Sequence, residues 1–208
     1  MIDLILGVDE VGVGSLAGPL VVGAVAYPSS GRPPVLKRMR RADVSVKDSK
    51  LINKALLPQF ADLIYSSAIH NTCVLKPAWM IDRYGVEEMR REAMCAVVKR
   101  TLERLTFLYR DDCKYSVIID GDFDLHTNAF KYKAVAGADK TIWQVSCASI
   151  IAKHAQVQVM TNMHRDHPHY GWDRNAGYGT SQHLAALREH GATKFHRHSY
   201  KPVRELRV

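Results

Sequence analysis

Leu4-Ile5-Leu6-Gly7-Val8-Asp9-Glu10-Val11-Gly12-Val13-Gly14 carries an apolar run, Leu4 to Val8, that ends in two adjacent carboxylates with glycines behind them. Acids beside apolar strand residues cost free energy unless they are paired, hydrogen-bonded or metal-bound. The glycine-rich stretch from Gly12 to Pro19 reads as a turn, and Leu20 to Tyr27 is a second apolar run closed by Pro28-Ser29-Ser30-Gly31. Two apolar runs joined in this way predict neighbouring strands of one sheet. Neighbours on a regular strand point to opposite faces, so Asp9 and Glu10 can share one site only if the chain bends there. Gly12 and Gly14 would permit that bend.

Outward from this segment, the pattern predicts a helix over about 53–67 and a strand over 68–76. The firmest helix runs from Gly85 to Leu108, where Val86, Met89, Ala93, Val97, Leu102 and Leu105 recur at helical spacing with Glu and Arg opposite. Tyr115 to Ile119 is a compact strand ending at Asp120-Gly121. Ser146 is placed to cap a helix running on through Ile150, Ala155 and Met160. A loop over 167–179 leads to a last helix at about 180–190. This order of elements predicts an α/β domain with a mixed sheet. From His164 onward the chain is more polar and holds seven of its ten histidines. The expected division is therefore 1–163 for the sheet domain and 164–208 for an extension touching the ligand.

The 208 residues suffice for one globular domain, and a 47% hydrophobic fraction suffices for a continuous core. No apolar run approaches the roughly 18–20 residues that span a bilayer, and the opening Met1-Ile2-Asp3-Leu4 lacks a signal-peptide layout. A membrane role is not expected. Cys73, Cys95, Cys113 and Cys147 lie far apart without paired spacing, which suits buried thiols in a reducing cytoplasm. Lys and Arg number 29 against 21 Asp and Glu, a net charge of +8. That balance suits a polyanionic partner. The basic run Lys37-Arg38-Met39-Arg40-Arg41 reads either as a solvated surface or as a phosphate-contacting patch.

Beyond Asp9 and Glu10, two further acids stand beside glycine or at a strand end. Asp120-Gly121 taken alone reads as a turn, and Asp139 in Ala136-Gly137-Ala138-Asp139-Lys140 taken alone reads as a surface pair. Converging at the carboxyl ends of strands, such acids would make a site for a hard cation such as magnesium. His164, His167 and His169 admit a zinc reading, but Pro168 and the loop context favour a solvated or phosphate-facing cluster.

Gly7 to Pro19 resembles the opening signature of the ribonuclease HII family. Lys47-Asp48-Ser49-Lys50, Ile118-Ile119-Asp120-Gly121 and Val145-Ser146-Cys147-Ala148-Ser149-Ile150-Ile151-Ala152-Lys153 resemble its later motifs. His169-Tyr170-Gly171, Gly177-Tyr178 and His190-Gly191-Ala192-Thr193 continue the resemblance in the same order, to about residue 203. The resemblance implies a ribonuclease H-like fold: a central mixed β-sheet flanked by helices, with a helical C-terminal extension. It implies catalytic, metal-binding acids at Asp9, Glu10, Asp120 and Asp139, served by two Mg2+ or Mn2+ ions. The implied partner is nucleic acid, and the reaction is hydrolysis of the RNA strand of RNA/DNA hybrids and of DNA on the 5′ side of an embedded ribonucleotide. The products would carry a 3′-hydroxyl and a 5′-phosphate. A cytoplasmic monomer with an activity optimum above pH 7 is expected.

Substrate contacts implied by the same motifs fall on Gly12, Val13, Gly14 and Tyr178, near the 2′-hydroxyl and the following sugar. Phosphate contacts fall on Lys47, Lys50, Ser149 and Lys153. Read without the resemblance, Ser149 is equally a small helix-packing residue and Tyr178 an ordinary loop aromatic. Val13 departs from the arginine typical of the Gly-Arg-Gly triplet, which removes a cation. Weaker preference for single embedded ribonucleotides over long hybrids is therefore expected. The sister family, ribonuclease HIII, also accepts a non-arginine residue there, but it normally carries an extra N-terminal domain. A catalytically silent binder, or a nuclease of the same superfamily cutting DNA alone, are the competing readings.

Overall fold

The computed structural model describes residues 2–31, 52, 54–110 and 112–205. The basic run at 37–41, Lys47 and Lys50 lie outside the described residues. Among the described residues five strands form one sheet: β1 (Ile2–Val11), β2 (Leu20–Pro28), β3 (His70–Lys76), β4 (Cys113–Asp120) and β5 (Lys133–Val135). Their order is β3-β2-β1-β4-β5. β2 runs antiparallel to both β1 and β3, whereas β4 runs parallel to β1 and to β5. The sheet is mixed, as expected. Its parallel half matters most, because Val8 lies opposite Ile119 and the carboxyl ends of β1 and β4 finish side by side.

Helices α1 (Leu57–Ser67), α2 (Ala78–Tyr84), α3 (Val86–Tyr109), α4 (Ala138–Thr141) and α5 (Trp143–Asp166) surround the sheet. α6 (Trp172–Asn175), α7 (Ser181–His190) and α8 (Lys201–Glu205) follow in the C-terminal part. The side-chain alternation along β1 divides the core. Leu4, Leu6 and Val8 pack with Val22, Ala24, Ala26, Val117 and Ile119 against Ala93, Met94, Val97 and Val98 of α3. The other face meets α1 and α5, where Val25 and Tyr27 pack with Phe60, Ile64, Cys147, Ala148 and Ile151. On that face α5 presses onto the strand itself: a Cβ at Gly7 would stand 2.4 Å from the Gln144 main chain. No side chain fits there.

The C-terminal part packs on the loop after β1. Leu16 and Ala17 join Met160, Tyr170, Trp172, Leu187 and Val203 in a third apolar cluster. Main-chain bonds fasten it: Leu16 N–H donates to Gly177 O at 2.8 Å and Arg197 N–H to Leu16 O at 2.8 Å.

Several local expectations are corrected. β1 runs from Ile2 through Val11, so both acids sit within a regular strand paired Asp9 to Gly23 and Glu10 to Val22. The bend comes after them, at Gly12, where φ is +87°. α5 begins at Trp143 with Ile142 at its cap position. Ser146 is a buried residue inside the helix whose hydroxyl donates to the Asp139 carbonyl, so it is not the N-cap of α5. Among the described residues the first predicted helix begins at Leu57, with Pro58 in its first turn. Thr180 is the N-cap of α7, its hydroxyl accepting from His183 N–H at 3.3 Å.

Candidate active site

Asp9, Asp120 and Asp139 each bring a carboxylate oxygen within 4.8 Å of the others. The backbone makes this convergence. Asp9, two residues before the end of β1, and Asp120, the last residue of β4, lie on adjacent parallel strands and point to the α5 face. β5 pairs with Asp120 through Val135, and the turn at Gly137 then delivers Asp139 on α4. Asp139 N–H donates to Asp120 Oδ1 at 3.4 Å. Asp9 and Asp139 are 4% and 3% exposed.

Glu10 stands apart from this trio. Its alternation puts it on the α3 face, where Arg90 Nη1 lies 3.5 Å from Glu10 Oε1. Arg90 is held in turn by Glu87 at 2.7 Å and by the Phe123 ring 3.9 Å beneath its guanidinium carbon. Glu10 Oε2 is buried without a hydrogen-bond partner among the described residues. The acids therefore straddle the end of the sheet, three on one side and one at its other face.

Their electrostatics follow from that crowding. Burial, the most important cause, and the neighbouring charges of Glu10 and Asp120 hold the Asp9 carboxyl well above the usual carboxylate range. The Ser149 hydroxyl and the Glu10 N–H, 2.7 Å from Asp9 Oδ1, pull the other way. Burial pushes Glu10 up to about 7, with the Arg90 guanidinium opposing it and Asp120 adding to it.

An oxygen-only donor set of this kind fits a hard divalent cation. Glu10 Oε2, without a hydrogen-bond partner among the described residues, and the raised Asp9 mark a site that added positive charge would stabilise. The histidines give no competing centre: among the described residues the trio is the sole cluster with metal-ligand spacing. His164 pairs with Asp173 at 3.3 Å, and His167 packs edge-on against Trp172 and Phe195.

A cleft opens beside the acids. Glu10, Gly12, Val13, Gly14, Ser149, Lys153 and Tyr178 all line it, so the structure brings these expected residues together. Ser149 does so while hydrogen-bonded to Asp9. Lys54 and Gln156 also line the cleft, and neither carried a sequence signal. Gln156 is buried on α5, and Lys54 donates to the Asp173 carbonyl at 3.0 Å. Arg90 was visible only as one of the polar residues on the outer face of α3.

A mixed sheet with carboxylates gathered at the carboxyl ends of its parallel strands, beside a cleft lined by lysines, defines a metal-dependent nuclease of the ribonuclease H-like class. Residues 6–203 match the Ribonuclease HII family. The ribonuclease HII of Novosphingobium aromaticivorans is 36% identical over 207 residues, covering 98% of both chains. The ribonuclease H2 of Pyrococcus horikoshii OT3 has the same fold, with a TM-score of 0.72 at 20% identity over 98% of this chain and 96% of that one. A ribonuclease HIII solved with Mn2+, Bst-RNase HIII, superposes with a TM-score of 0.70 at 19% identity, over 98% of this chain and 68% of that one. The chain belongs to the ribonuclease HII family. It is a type 2 ribonuclease H, a metal-dependent endonuclease acting on the RNA strand of RNA/DNA hybrids. Among the described residues no helix is long and apolar enough to cross a membrane.

Proposed function

We propose that this chain cuts both within the RNA strand of a hybrid and on the 5′ side of a ribonucleotide embedded in duplex DNA, leaving a 3′-hydroxyl and a 5′-phosphate. The observation that carries the reading is the three-carboxylate cluster at the end of β1 and β4, opening onto a cleft with lysines and a glycine turn. Asp9, Asp120 and Asp139 would hold divalent cations, Mg2+ or Mn2+, with Glu10 serving from the opposite face. When bound, two such ions about 3.5–4 Å apart supply an activated water and neutralise charge on the leaving oxygen.

The chain's own groups do the remaining work. Ser149 orients Asp9 through its hydroxyl, and Arg90 holds Glu10 at the rim. The main chain of Gly12 to Gly14 offers polar groups to a 2′-hydroxyl, because Gly12 and Gly14 carry no side chain of their own to hold the substrate off. Tyr178, with 41% of its surface exposed, presents its ring to the sugar that follows. Lys153 in the cleft meets phosphates, as do Lys47 and Lys50 by their motif. Phosphate contacts fix register and carry no sequence information. The segment from His164 onward acts as the substrate-binding extension by supplying Tyr178. One chain supplies every group named, so a monomer suffices, and a cytoplasmic setting suits its thiols.

The test uses labelled duplexes with Mg2+ or Mn2+: one embedded ribonucleotide, a full RNA/DNA hybrid, and all DNA. Cleavage of the first two, abolished by Asp120→Asn, is the expected result. Cutting of the hybrid alone overturns the junction activity, and cutting of the all-DNA duplex overturns the substrate class.

A further inference from the structure

Behind Tyr178 lies a buried chain of hydrogen bonds that the reaction does not use directly. His183 on α7 and His196 in the following loop are both fully buried, with Trp172 beside them. Thr193 N–H donates to His196 Nδ1 at 2.9 Å, so the proton of a neutral His196 sits on Nε2. His196 Nε2 is 3.1 Å from His183 Nε2, and Trp172 Nε1–H donates to the same His183 atom at 3.1 Å. His183 Nε2 is therefore the acceptor for both, and its own proton sits on Nδ1. That Nδ1 is 3.0 Å from the carbonyl oxygen of Tyr178, to which it donates. Each ring has one permitted tautomer, and all donors point the same way, from Thr193 through His196 and His183 to Tyr178.

The neutral state follows from the same arrangement. A second proton on His183 would face two donors, and burial lowers the affinity of both rings for it. The receiving end is at the cleft. A Cβ built on Gly14 would stand 3.9 Å from Tyr178 Cε1, so the tyrosine ring lies across the glycine turn. The turn is fixed from the same C-terminal segment, because Arg197 Nη1 donates to Val13 O at 2.8 Å and Arg197 Nε to Gly18 O at 3.2 Å. Thr193 to Arg197 thus reaches both walls of the cleft from behind.

We propose that His183 is a positioning residue: through its Nδ1–H bond to the Tyr178 carbonyl, directed by His196 and Trp172, it sets Tyr178 against Gly14 and so fixes the fit of the sugar next to the cleaved bond. This rests on the reading that Tyr178 meets the substrate. A packing role alone would lower stability and leave the kinetics of the folded enzyme unchanged.

Two substitutions separate the ends of the ring. His183→Gln keeps a polar group near the Nε2 position and loses the donor beside Tyr178. His183→Asn keeps a side-chain N–H near the Nδ1 position and loses the acceptor for Trp172 and His196. Both are measured with Tyr178→Ala on an RNA/DNA hybrid with Mg2+, as kcat and KM per folded enzyme, with melting curves alongside. His183→Gln is expected to raise KM about tenfold, the worth of one hydrogen bond, with kcat within about twofold. His183→Asn is expected to melt lower and yet hold KM within about twofold of the parent. Tyr178→Ala raises KM at least as much as His183→Gln.

Equal KM changes in both His183 variants overturn the proposal, as does an unchanged KM in His183→Gln. Tyr178→Ala with an unchanged KM overturns the reading of Tyr178 and the proposal together. If the variants do not fold, the imidazole 15N shifts of the intact protein decide it. His183 protonated on Nδ1 and His196 on Nε2 support the proposal, and the reverse tautomers overturn it.

Discussion

Asp9 and Glu10 are covalent neighbours whose carboxylates lie on opposite faces of the sheet, Asp9 bonded to Ser149 of α5 and Glu10 facing Arg90 of α3. The strand stays regular through both, and the site forms at the sheet's end, where residues of both faces reach the same edge. Asp9 shares its face with Asp120 and Asp139 and bears the like-charge repulsion. Glu10 has the Arg90 guanidinium beside it.

Burial of Asp9, with the like charges of Glu10 and Asp120 added, makes the metal-free protein less stable than its fold allows. The Asp9 carboxyl is raised, so the folded state holds its proton more tightly than the unfolded state does. Its contribution is favourable below the ordinary carboxylate range and is lost as pH rises above that range through the raised folded value. Asp9→Asn should therefore raise the melting temperature of the metal-free protein at pH 7.5. For the parent, free Mn2+ at a hundredfold its Kd adds about 2.7 kcal/mol, or roughly 5–10 °C at this size. Asp9→Asn should lose most of that increment. Thermal melts with EDTA and with Mn2+ check both signs, and a metal response equal to the parent's would remove Asp9 from the ligand set.

Arg90 sets the protonation of Glu10. Burial outweighs the guanidinium, which favours the charged carboxylate, so that Glu10 stands at about 7 even with Arg90 beside it. In Arg90→Met that opposition disappears and Glu10 ionises at higher pH. Activity on the hybrid should fall about three- to tenfold at pH 7 and recover by pH 9, while Arg90→Lys stays near the parent. The pH profile of kcat/KM is the measurement. A uniform loss at every pH would assign Arg90 to packing on Phe123 instead.

Much of this architecture is legible in the sequence, for identifiable reasons. α3 shows because Ala93, Val97 and Leu105 all meet one sheet face, and periodicity records a single buried face. β2 shows because all of its residues from Leu20 to Tyr27 are buried. α5 is less legible at its start, because Gln144 to Ala152 is buried on every side and leaves no polar stripe to mark the first turn. β5 and α4 span three and four residues, too few for any period, so the element that delivers Asp139 was not read at all. α2 was missed in the same way. Asp9, Glu10 and Asp120 were legible as acids at strand ends. Arg90, Lys54, Gln156 and Arg197 were not, since each matters through a partner 80 or more residues distant in sequence.

The buried histidines predict an acid weakness. Burial, with His183 and His198 nearby, lowers His196 to about 3, and burial lowers His183 as well. Below the ordinary histidine range near 6.5 the unfolded chain takes up protons that the folded chain refuses. Their contribution is thus complete above that range and is lost as pH falls towards the folded values. Each ring takes away up to about 1.4 kcal/mol per pH unit within that window. The carboxylates that titrate in the same window act in both the parent and its variants, so the slope difference isolates the ring. Between pH 7 and 5 the denaturation free energy of the parent should fall more steeply than that of His196→Gln by about one proton. Urea titrations across that range check it, and equal slopes would refute the buried neutral pair.

At position 13 the side chain, not the main chain, is what a substitution can change at the cleft. The Val13 carbonyl accepts from Arg197 Nη1 at 2.8 Å and from the Tyr200 hydroxyl at 2.6 Å, so the main chain of the glycine turn is fixed whatever residue stands at 13. The valine side chain leans on the apolar cluster of Leu20, Ile81 and Met89 at the edge of the cleft. An arginine there cannot bury its guanidinium in that cluster, so it must turn towards the substrate phosphates. Val13→Arg should then raise cleavage at a single embedded ribonucleotide relative to a long hybrid by several-fold. The gain comes from one contact where a hybrid already offers many. The same cation should steepen the salt dependence of duplex binding by about one phosphate, a change of about 0.9 in slope. Val13→Met, which adds length without charge, should leave both quantities where they are. A cleavage ratio unchanged by the arginine, with the salt slope increased, would mean that the cation is bound but plays no part in choosing the junction.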